Sequence, residues 1–122
     1  MKQILGLIFM WCVLTTAVQA QQPVDTNVTQ VNGLHVVKIK TSAVCDMCKE
    51  TLEKAMAYEK GVKNSNLDVD TKVFTVTFDP KKTNLDKLRL AIAKAGYDAD
   101  TVLADEKAYQ SLHACCKKDA KH

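Results

Sequence analysis

The sequence predicts an α+β fold in which two helices cover one face of a four-stranded antiparallel sheet. Two kinds of pattern predict it. Apolar and polar residues alternate over 34–43 and 72–78, as they do in half-buried strands. Apolar residues recur at helical spacing over 46–58 and 85–95, which predicts two amphipathic helices separated by the strands.

The order of these segments defines the arrangement. The first strand leads into the first helix, which Gly61 ends. Two short strands follow, and 63–69 is the weaker one because polar residues occupy its centre. A capping box at 83–86 opens the second helix, and Gly96 ends it. We expect a last strand over 97–103 and a third helix over 105–116, so the fold class is a ferredoxin-like βαββαβ sandwich with a C-terminal helical extension.

The first 20 residues have the pattern of a secretory signal peptide. Lys2 precedes an apolar run, and a small-x-small site ends at Ala20, where we expect cleavage. We therefore predict an exported protein, periplasmic or secreted. Residues 21–32 are polar and aperiodic, which predicts a flexible lead-in, followed by a domain over 33–104 and a tail over 105–122.

The net charge of the whole chain is +3. Such a mild charge does not favour binding to nucleic acid or to an anionic membrane surface. We therefore predict no nucleic-acid partner and no stable membrane association. The sequence also contains no nucleophile–base pair typical of a catalytic site, so we predict that the protein is not an enzyme.

The most informative motif is Cys45-Asp46-Met47-Cys48, which lies where the first strand ends and the first helix begins. Two thiols at this spacing share one corner, and the positive end of a helix favours their ionised form. Thiolates bind soft metals or attack disulfides. A redox motif of the thioredoxin type usually has tryptophan before its first cysteine, where this chain has Val44, so metal binding is favoured.

From residue 34 to 103 the chain resembles the heavy-metal-associated domain of copper chaperones, metal-pumping ATPases and periplasmic mercuric-ion-binding proteins. The resemblance rests on the cysteine motif after a strand, Gly61-Val62, the run Lys72-Val73-Phe74-Thr75-Val76-Thr77-Phe78-Asp79, and Ala95-Gly96-Tyr97. It implies that Cys45 and Cys48 bind one soft ion, most often Cu(I) or Hg(II), and release it by stepwise thiolate exchange. It further implies that Tyr97 lies beside the metal loop.

The resemblance also implies partners: a metal-transporting ATPase or membrane transporter, or another metal carrier. An open two-cysteine corner is compatible with a monomer or with a metal-bridged dimer.

Two positions depart from the family pattern, because Ala43 and Ser42 stand where methionine and glycine are usual. The carboxylate of Asp46 would be a hard ligand favouring Zn(II), although a residue at a helix start also complements the dipole. Met47 is either part of the apolar wall of the loop or an accessory thioether.

The tail carries candidate additional ligands: Cys115, Cys116 and His113. A helix over 105–115 spans about 16 Å, and a seven-residue strand spans about 23 Å, so a helix folding back would bring the tail thiols most of the way to the motif. In the alternative interpretation they are an exposed pair near the chain end.

Two other functions stay open for the whole protein: a periplasmic thiol–disulfide redox protein using the same motif, and an interaction module that has lost metal binding.

Overall fold

The computed structural model describes residues 28–118, so the predicted signal peptide lies outside the described residues. Its helices and strands follow the predicted alternation for most of the chain. Their bounds are β1 Val28–Val31, β2 Leu34–Lys40, α1 Asp46–Ala57, β3 Val62–Asp68, β4 Val73–Phe78, α2 Leu85–Lys94, α3 Glu106–Gln110 and a 3₁₀ turn at Ala114–Cys116.

The strands form one four-stranded antiparallel sheet in the order β1-β2-β4-β3. The inward side chains of the strands and the apolar stripes of α1 and α2 form a single core. The α+β prediction, with two helices on a four-stranded antiparallel sheet, is therefore confirmed. The core residues are Val37, Ile39, Leu67, Phe74, Val76 and Phe78 from the sheet, and Cys48, Leu52, Met56, Leu88 and Ile92 from the helices.

The outermost strand beside β2 comes from the N-terminal side of the domain. Val28–Val31 pairs with β2, although the sequence predicted a flexible lead-in over 21–32, and that prediction is wrong for these four residues. Asn32 and Gly33 connect the two strands with φ of 50° and 78°. Asn-Gly is the sequence typical of a two-residue hairpin turn with two positive φ angles, and it is the signal that would have predicted this strand.

The predicted last strand over 97–103 does not form a regular strand. Ala99 makes isolated bridges to Thr41 and to Val102, and the backbone N–H of Asp100 donates to the carbonyl of Lys40 at 2.8 Å. The physical reason is competition for one edge of the sheet. Because β1 already pairs with the first four residues of β2, only the end of β2 remains for the segment after α2.

The predicted helix over 105–116 is also interrupted. It ends at Gln110, and the extended backbone of His113 (ψ 149°) redirects the chain into the 3₁₀ turn. The hydroxyl of Ser111 donates to the carbonyl of Lys107 at 3.0 Å, which helps to end the helix. A helix this short has little intrinsic stability, so tertiary contacts decide the path of the chain.

α2 begins one residue later than its predicted capping box implies. The cap is Asn84, whose side-chain oxygen accepts from the N–H of Lys87 at 2.9 Å. Thr83 is instead buried, and its hydroxyl has no hydrogen-bond partner among the residues described. Within residues 28–118, no helix has the length and apolar character needed to cross a membrane.

Residues 105–118, called the C-terminal extension below, pack directly against the end of α2. The N–H of Asp105 donates to the carbonyl of Ala93 at 2.9 Å. Gly96 has a φ of 101°, and a Cβ there would lie 3.1 Å from the backbone of Ala108 and 3.2 Å from Leu112. The missing side chain of Gly96 therefore allows α3 to approach the domain.

Because of this close approach, replacing Gly96 by alanine should destabilise the protein more than replacing a glycine that only needs a positive φ. Gly33 is the matched control, since it has a φ of 78° but no atom within 4 Å of its would-be Cβ. Gly33→Ala should lower the free energy of unfolding by about 1 kcal/mol through backbone strain. Gly96→Ala should lower it by about 2–4 kcal/mol because overpacking adds to the strain. Equal losses in denaturant unfolding would contradict the proposed close packing.

Candidate metal centre

The two motif cysteines lie at the junction of β2 and α1. Cys45 occupies the position just before the helix, in extended conformation, and its carbonyl accepts from the N–H of Lys49 at 3.1 Å. Cys48 lies in the first turn, with its side chain fully buried. Their sulfur atoms are 3.2 Å apart, and both residues are free thiols. The sequence-predicted pair therefore meets at one corner, with one buried and one half-buried member.

Hydrogen bonds connect the preceding loop to the turn before β4 and to the segment after α2. The hydroxyl of Thr41 donates to the carbonyl of Lys72 at 3.0 Å and accepts from the N–H of Ala43 at 3.3 Å. The hydroxyl of Ser42 accepts from the N–H of Asp98 at 2.9 Å. Ser42 and Ala43, the two departures from the family pattern, thus act as a polar anchor and a buried core residue.

The C-terminal extension brings its two thiols to the same corner. The sulfur of Cys116 lies 3.6 Å from that of Cys45 and 3.8 Å from that of Cys115. Cys45, Cys115 and Cys116 form a group whose sulfur atoms all lie within 4.8 Å of one another. Cys116 is only 3% exposed, whereas Cys115 is half-buried. Cys45 contacts both Cys48 and Cys116, so it joins the two pairs.

The Cys116 thiol, at the buried end of the cluster, is uncharged. Burial raises the pKa of the Cys116 thiol well above its ordinary value, and hydrogen bonding with the Cys48 and Cys45 thiols raises it further. A neutral thiol both donates and accepts weakly, so the sulfurs can satisfy one another without an ion. An ion that binds here must displace these protons.

Tyr97 lies fully buried beside this cluster, as the resemblance implied. Its hydroxyl has no hydrogen-bond partner of acceptable geometry among the described residues. Burial raises the pKa of this hydroxyl, and the neighbouring Cys48 and Cys116 thiols raise it further. The hydroxyl is therefore a neutral donor next to the sulfurs, without a well-aligned acceptor among the described residues.

The remaining predicted site residues lie at the rim. Met47 is 45% exposed, and its sulfur lies 4.0 Å from that of Cys115, so the thioether faces the tail thiol. Asp46 and His113 are both exposed, and neither belongs to the group of sulfurs within 4.8 Å. The structure thus brings together the four cysteines of residues 28–118, with Tyr97 and Met47, and leaves Asp46 and His113 outside this cluster.

An ion pair that the sequence analysis did not predict holds the end of the extension. The Nζ atom of Lys118 lies 2.6 Å from Oδ2 of Asp98, and Oδ1 of Asp98 accepts from the N–H of Ala104 at 2.9 Å. Burial alone would raise the pKa of the Asp98 carboxyl, but the hydrogen bonds from Lys118 and Ala104 and the charge of Lys118 bring it below its ordinary value. Asp98 therefore connects the cysteine loop, through Ser42, to the tail.

The fold and the cysteine cluster define a class: a small ferredoxin-like domain with thiols at the β2–α1 corner. The family model for the heavy-metal-associated domain matches residues 39–98. Oxidized MerP from Ralstonia metallidurans CH34 is 32% identical and has a TM-score of 0.53, with 55% of this chain and 94% of MerP covered. The chain belongs to the heavy-metal-associated domain family.

Two further comparisons match the same part of the chain in fold or in sequence. The structure of the CopZ metallochaperone matches with a TM-score of 0.51 and 23% identity, over 52% of this chain and 97% of CopZ, which supports the fold. A copper-exporting P-type ATPase of Staphylococcus aureus (strain JH9) is 36% identical over 59 residues, or 48% of this chain. The match spans only 7% of the length of that ATPase.

The buried hydroxyl of Tyr97 leads to a prediction for the apo protein. Removing a buried hydroxyl without a partner removes an uncompensated desolvation penalty. Tyr97→Phe should therefore leave the free energy of unfolding unchanged or raise it by up to about 1 kcal/mol. Tyr109→Phe is the matched control, because its hydroxyl accepts from the N–H of Lys118 at 3.2 Å. A clear loss of apo stability in Tyr97→Phe alone would show that its hydroxyl has a structural partner.

The ion pair predicts a pH dependence with a defined sign. The carboxyl of Asp98 has a lowered pKa in the folded state. Its contribution to the free energy of unfolding is therefore fully present above about pH 4 and is lost as the pH falls through the folded pKa. Lys118→Ala should raise the pKa of Asp98, measured by NMR titration. It should also make the free energy of unfolding decrease less when the pH is lowered. At neutral pH the change should stay below about 1 kcal/mol, since Lys118 is 45% exposed. The control Lys117→Ala should leave the titration of Asp98 unchanged.

Proposed function

We propose that the protein binds one soft metal ion through Cys45 and Cys48 and passes it to a partner by ligand exchange. The observation that carries this proposal is the pair of free thiols 3.2 Å apart where β2 meets α1. Membership of the heavy-metal-associated domain family supports it. In this role the protein is a carrier and not an enzyme.

Binding replaces two S–H bonds by two metal–sulfur bonds, and the two protons leave to solvent. The positive end of the α1 dipole then lies against the negative charge of the thiolate pair. Low coordination leaves room for a third sulfur. Since Cys45 is half-buried and Cys48 fully buried, an incoming ligand reaches the ion from the Cys45 side.

Transfer follows from this asymmetry. A thiolate of the partner forms a third bond to the ion, after which the bond to Cys45 breaks and that sulfur regains a proton from solvent. A second partner thiolate then replaces Cys48 in the same manner. The oxidation state of the ion does not change, so the step requires no electron donor or acceptor.

The donor atoms favour Cu(I) or Hg(II), with Zn(II) as the alternative that thiolates also hold. Asp46, the candidate hard ligand, lies outside the group of closely spaced sulfurs. A purely sulfur-based site therefore has better support than a mixed one. The copper-exporting ATPases that match part of the chain support copper among these candidates.

For partners we propose a metal-transporting ATPase or membrane transporter, or another metal carrier. The signal-peptide pattern before Ala20 supports a periplasmic or secreted location, where the protein would act as a monomer or as a metal-bridged dimer. In either state the exposed side of the cysteine corner would be the contact surface.

The test is anaerobic titration of the reduced protein with Cu(I) and with Hg(II), read by native mass spectrometry. We expect one ion per chain in the parent and none retained in Cys45→Ser/Cys48→Ser. Thr51→Ala is the matched control on the same helix and should bind as the parent does. Unfolding of each apo variant checks that the domain remains folded.

A parent that binds neither ion would rule out the carrier function. If it instead reduces a model disulfide with turnover that depends on Cys45 and Cys48, the protein is a thiol–disulfide redox protein. If neither binding nor turnover occurs, and the serine variant differs from the parent only in stability, the domain is an interaction module.

A further inference from the structure

We propose that the C-terminal extension is an intramolecular lid whose Cys116 and Cys115 thiolates close the metal site. Cys116 is the third ligand, and Cys115 is the exchangeable fourth. This inference rests on the proposed function for the presence of an ion. It adds two ligands to the proposed site, a preference among the ions that the site retains, and a way in which release of the ion is controlled.

The sulfur separations fit a site with three or four thiolates better than a linear one. A metal–sulfur bond of about 2.3 Å places two sulfurs about 4.6 Å apart in a linear site and about 3.8 Å apart in a tetrahedral one. The observed separations are 3.2 Å for Cys45–Cys48, 3.6 Å for Cys45–Cys116 and 3.8 Å for Cys115–Cys116. The Cys45–Cys48 pair must widen for linear coordination. The sulfurs of Cys45, Cys115 and Cys116 all lie within 4.8 Å of one another, near the higher-coordinate spacing, and Cys48 adjoins this group through Cys45.

Burial distinguishes the two tail thiols. Cys116 is 3% exposed and packs in the same core as Cys48 and Tyr97, so it cannot leave the ion without movement of the extension. Cys115 is half-buried and lies beside the exposed thioether of Met47. A thiol from a partner can therefore replace Cys115 first, at the solvent-facing edge of the cluster.

Contacts that do not involve the thiols hold the extension in place, so they position its sulfurs for an ion. The contacts of Gly96 with Ala108 lie at its start, and the Lys118–Asp98 ion pair lies at its end. Also at its start, the side chain of Asp105 accepts from the N–H of Ala108 at 2.8 Å and caps α3. Positioning in advance reduces the entropy lost when Cys115 and Cys116 bind.

Charge indicates which ions the closed site retains. Four thiolates around a monovalent ion leave three uncompensated negative charges, and around a divalent ion they leave two. A largely buried cluster disfavours each additional charge. The lid should therefore favour divalent thiophilic ions, such as Cd(II), Hg(II) and Zn(II), over Cu(I).

The experiment is anaerobic Cd(II) titration of the reduced protein, because Cd(II)–thiolate absorption and the cadmium X-ray absorption spectrum both report the number of bound sulfurs. We expect four sulfurs in the parent and three in Cys115→Ser. The affinity for Cd(II) should fall by about a hundredfold for each lost thiolate, on the scale of structural four-ligand sites. His113→Ala and Lys117→Ala are the matched controls in the extension and should keep four sulfurs.

Cys116→Ala is the second variant, chosen because it places no hydroxyl in the core. It should lower the Cd(II) affinity more than the Cu(I) affinity, which separates a ligand role from a general loss of folding. If the parent shows two sulfurs, and Cys115→Ser and Cys116→Ala bind Cd(II) as the parent does, the lid is refuted while the two-cysteine carrier stands. If Cys45→Ser/Cys48→Ser retains Cd(II) on the tail thiols alone, the proposed function fails separately.

One more outcome would overturn the inference. If mass spectrometry of the non-reduced parent shows a Cys115–Cys116 disulfide, and metal binding after reduction is unaffected by replacing either residue, the pair is a redox element. A closed site instead predicts that Cd(II) protects both tail thiols from alkylation in the parent. Cys45→Ser/Cys48→Ser should lose this protection.

Discussion

Burial of Cys48 in the first turn of α1 is the constraint on which the arrangement of the other sulfurs depends. Its side chain is fully buried in the core shared by the sheet and both helices, so the corner between β2 and α1 cannot shift independently of the domain. Cys45, three residues earlier, is thereby held at the surface of this core. The pair therefore has one fixed and one more accessible member, an arrangement suited to the sequential ligand exchange that we propose.

The edge strand β1 has a consequence far from its own residues. By pairing with Leu34–Val37, it occupies the edge of β2 that a strand over 97–103 would otherwise cover. The chain after α2 then makes only short bridges near Ala99 before it turns into the extension. Because this segment is not held in the sheet, it crosses near the cysteine loop, where Asp98 binds both Ser42 and Lys118.

The strongest local patterns were sufficient to predict most of the fold. Phe74, Val76 and Phe78 alternate as a strand should and all point into the core, and Cys48, Leu52 and Met56 form the predicted buried stripe of α1. The prediction of a strand over 97–103 was wrong because this segment competes with β1 for the same edge of β2. Neither segment shows this competition in its own sequence. The short Val28–Val31 strand has only one inward side chain, so its alternation is weak, and the Asn32-Gly33 turn was its one clear signal.

For the candidate site, the motif spacing and the topology predicted the meeting of Cys45 and Cys48 and the approach of the tail. The interrupted helix was not predicted, because the extended backbone at His113 follows from tertiary packing of the residues around it. The pairing of Lys118 with Asp98 joins residues that are distant in sequence, and charge patterns on the surface do not specify such partners. The sequence therefore predicted that these thiols approach one another, but not the contacts that position them.

Affinity and transfer make opposite demands on such a cluster. A deeply buried, fully coordinated ion binds tightly but exchanges slowly, whereas an open pair exchanges quickly and holds less. The exposure of the thiols increases from Cys48 and Cys116 to Cys45 and Cys115. In the carrier that we propose, this gradient would meet both demands, because a partner would enter at the more exposed sulfurs while the buried ones still hold the ion. The proposed lid would make release depend on a partner that supplies thiolates of its own, since water is a much poorer ligand for a soft ion. A carrier built in this way would retain its ion in free solution and release it only on docking to a partner.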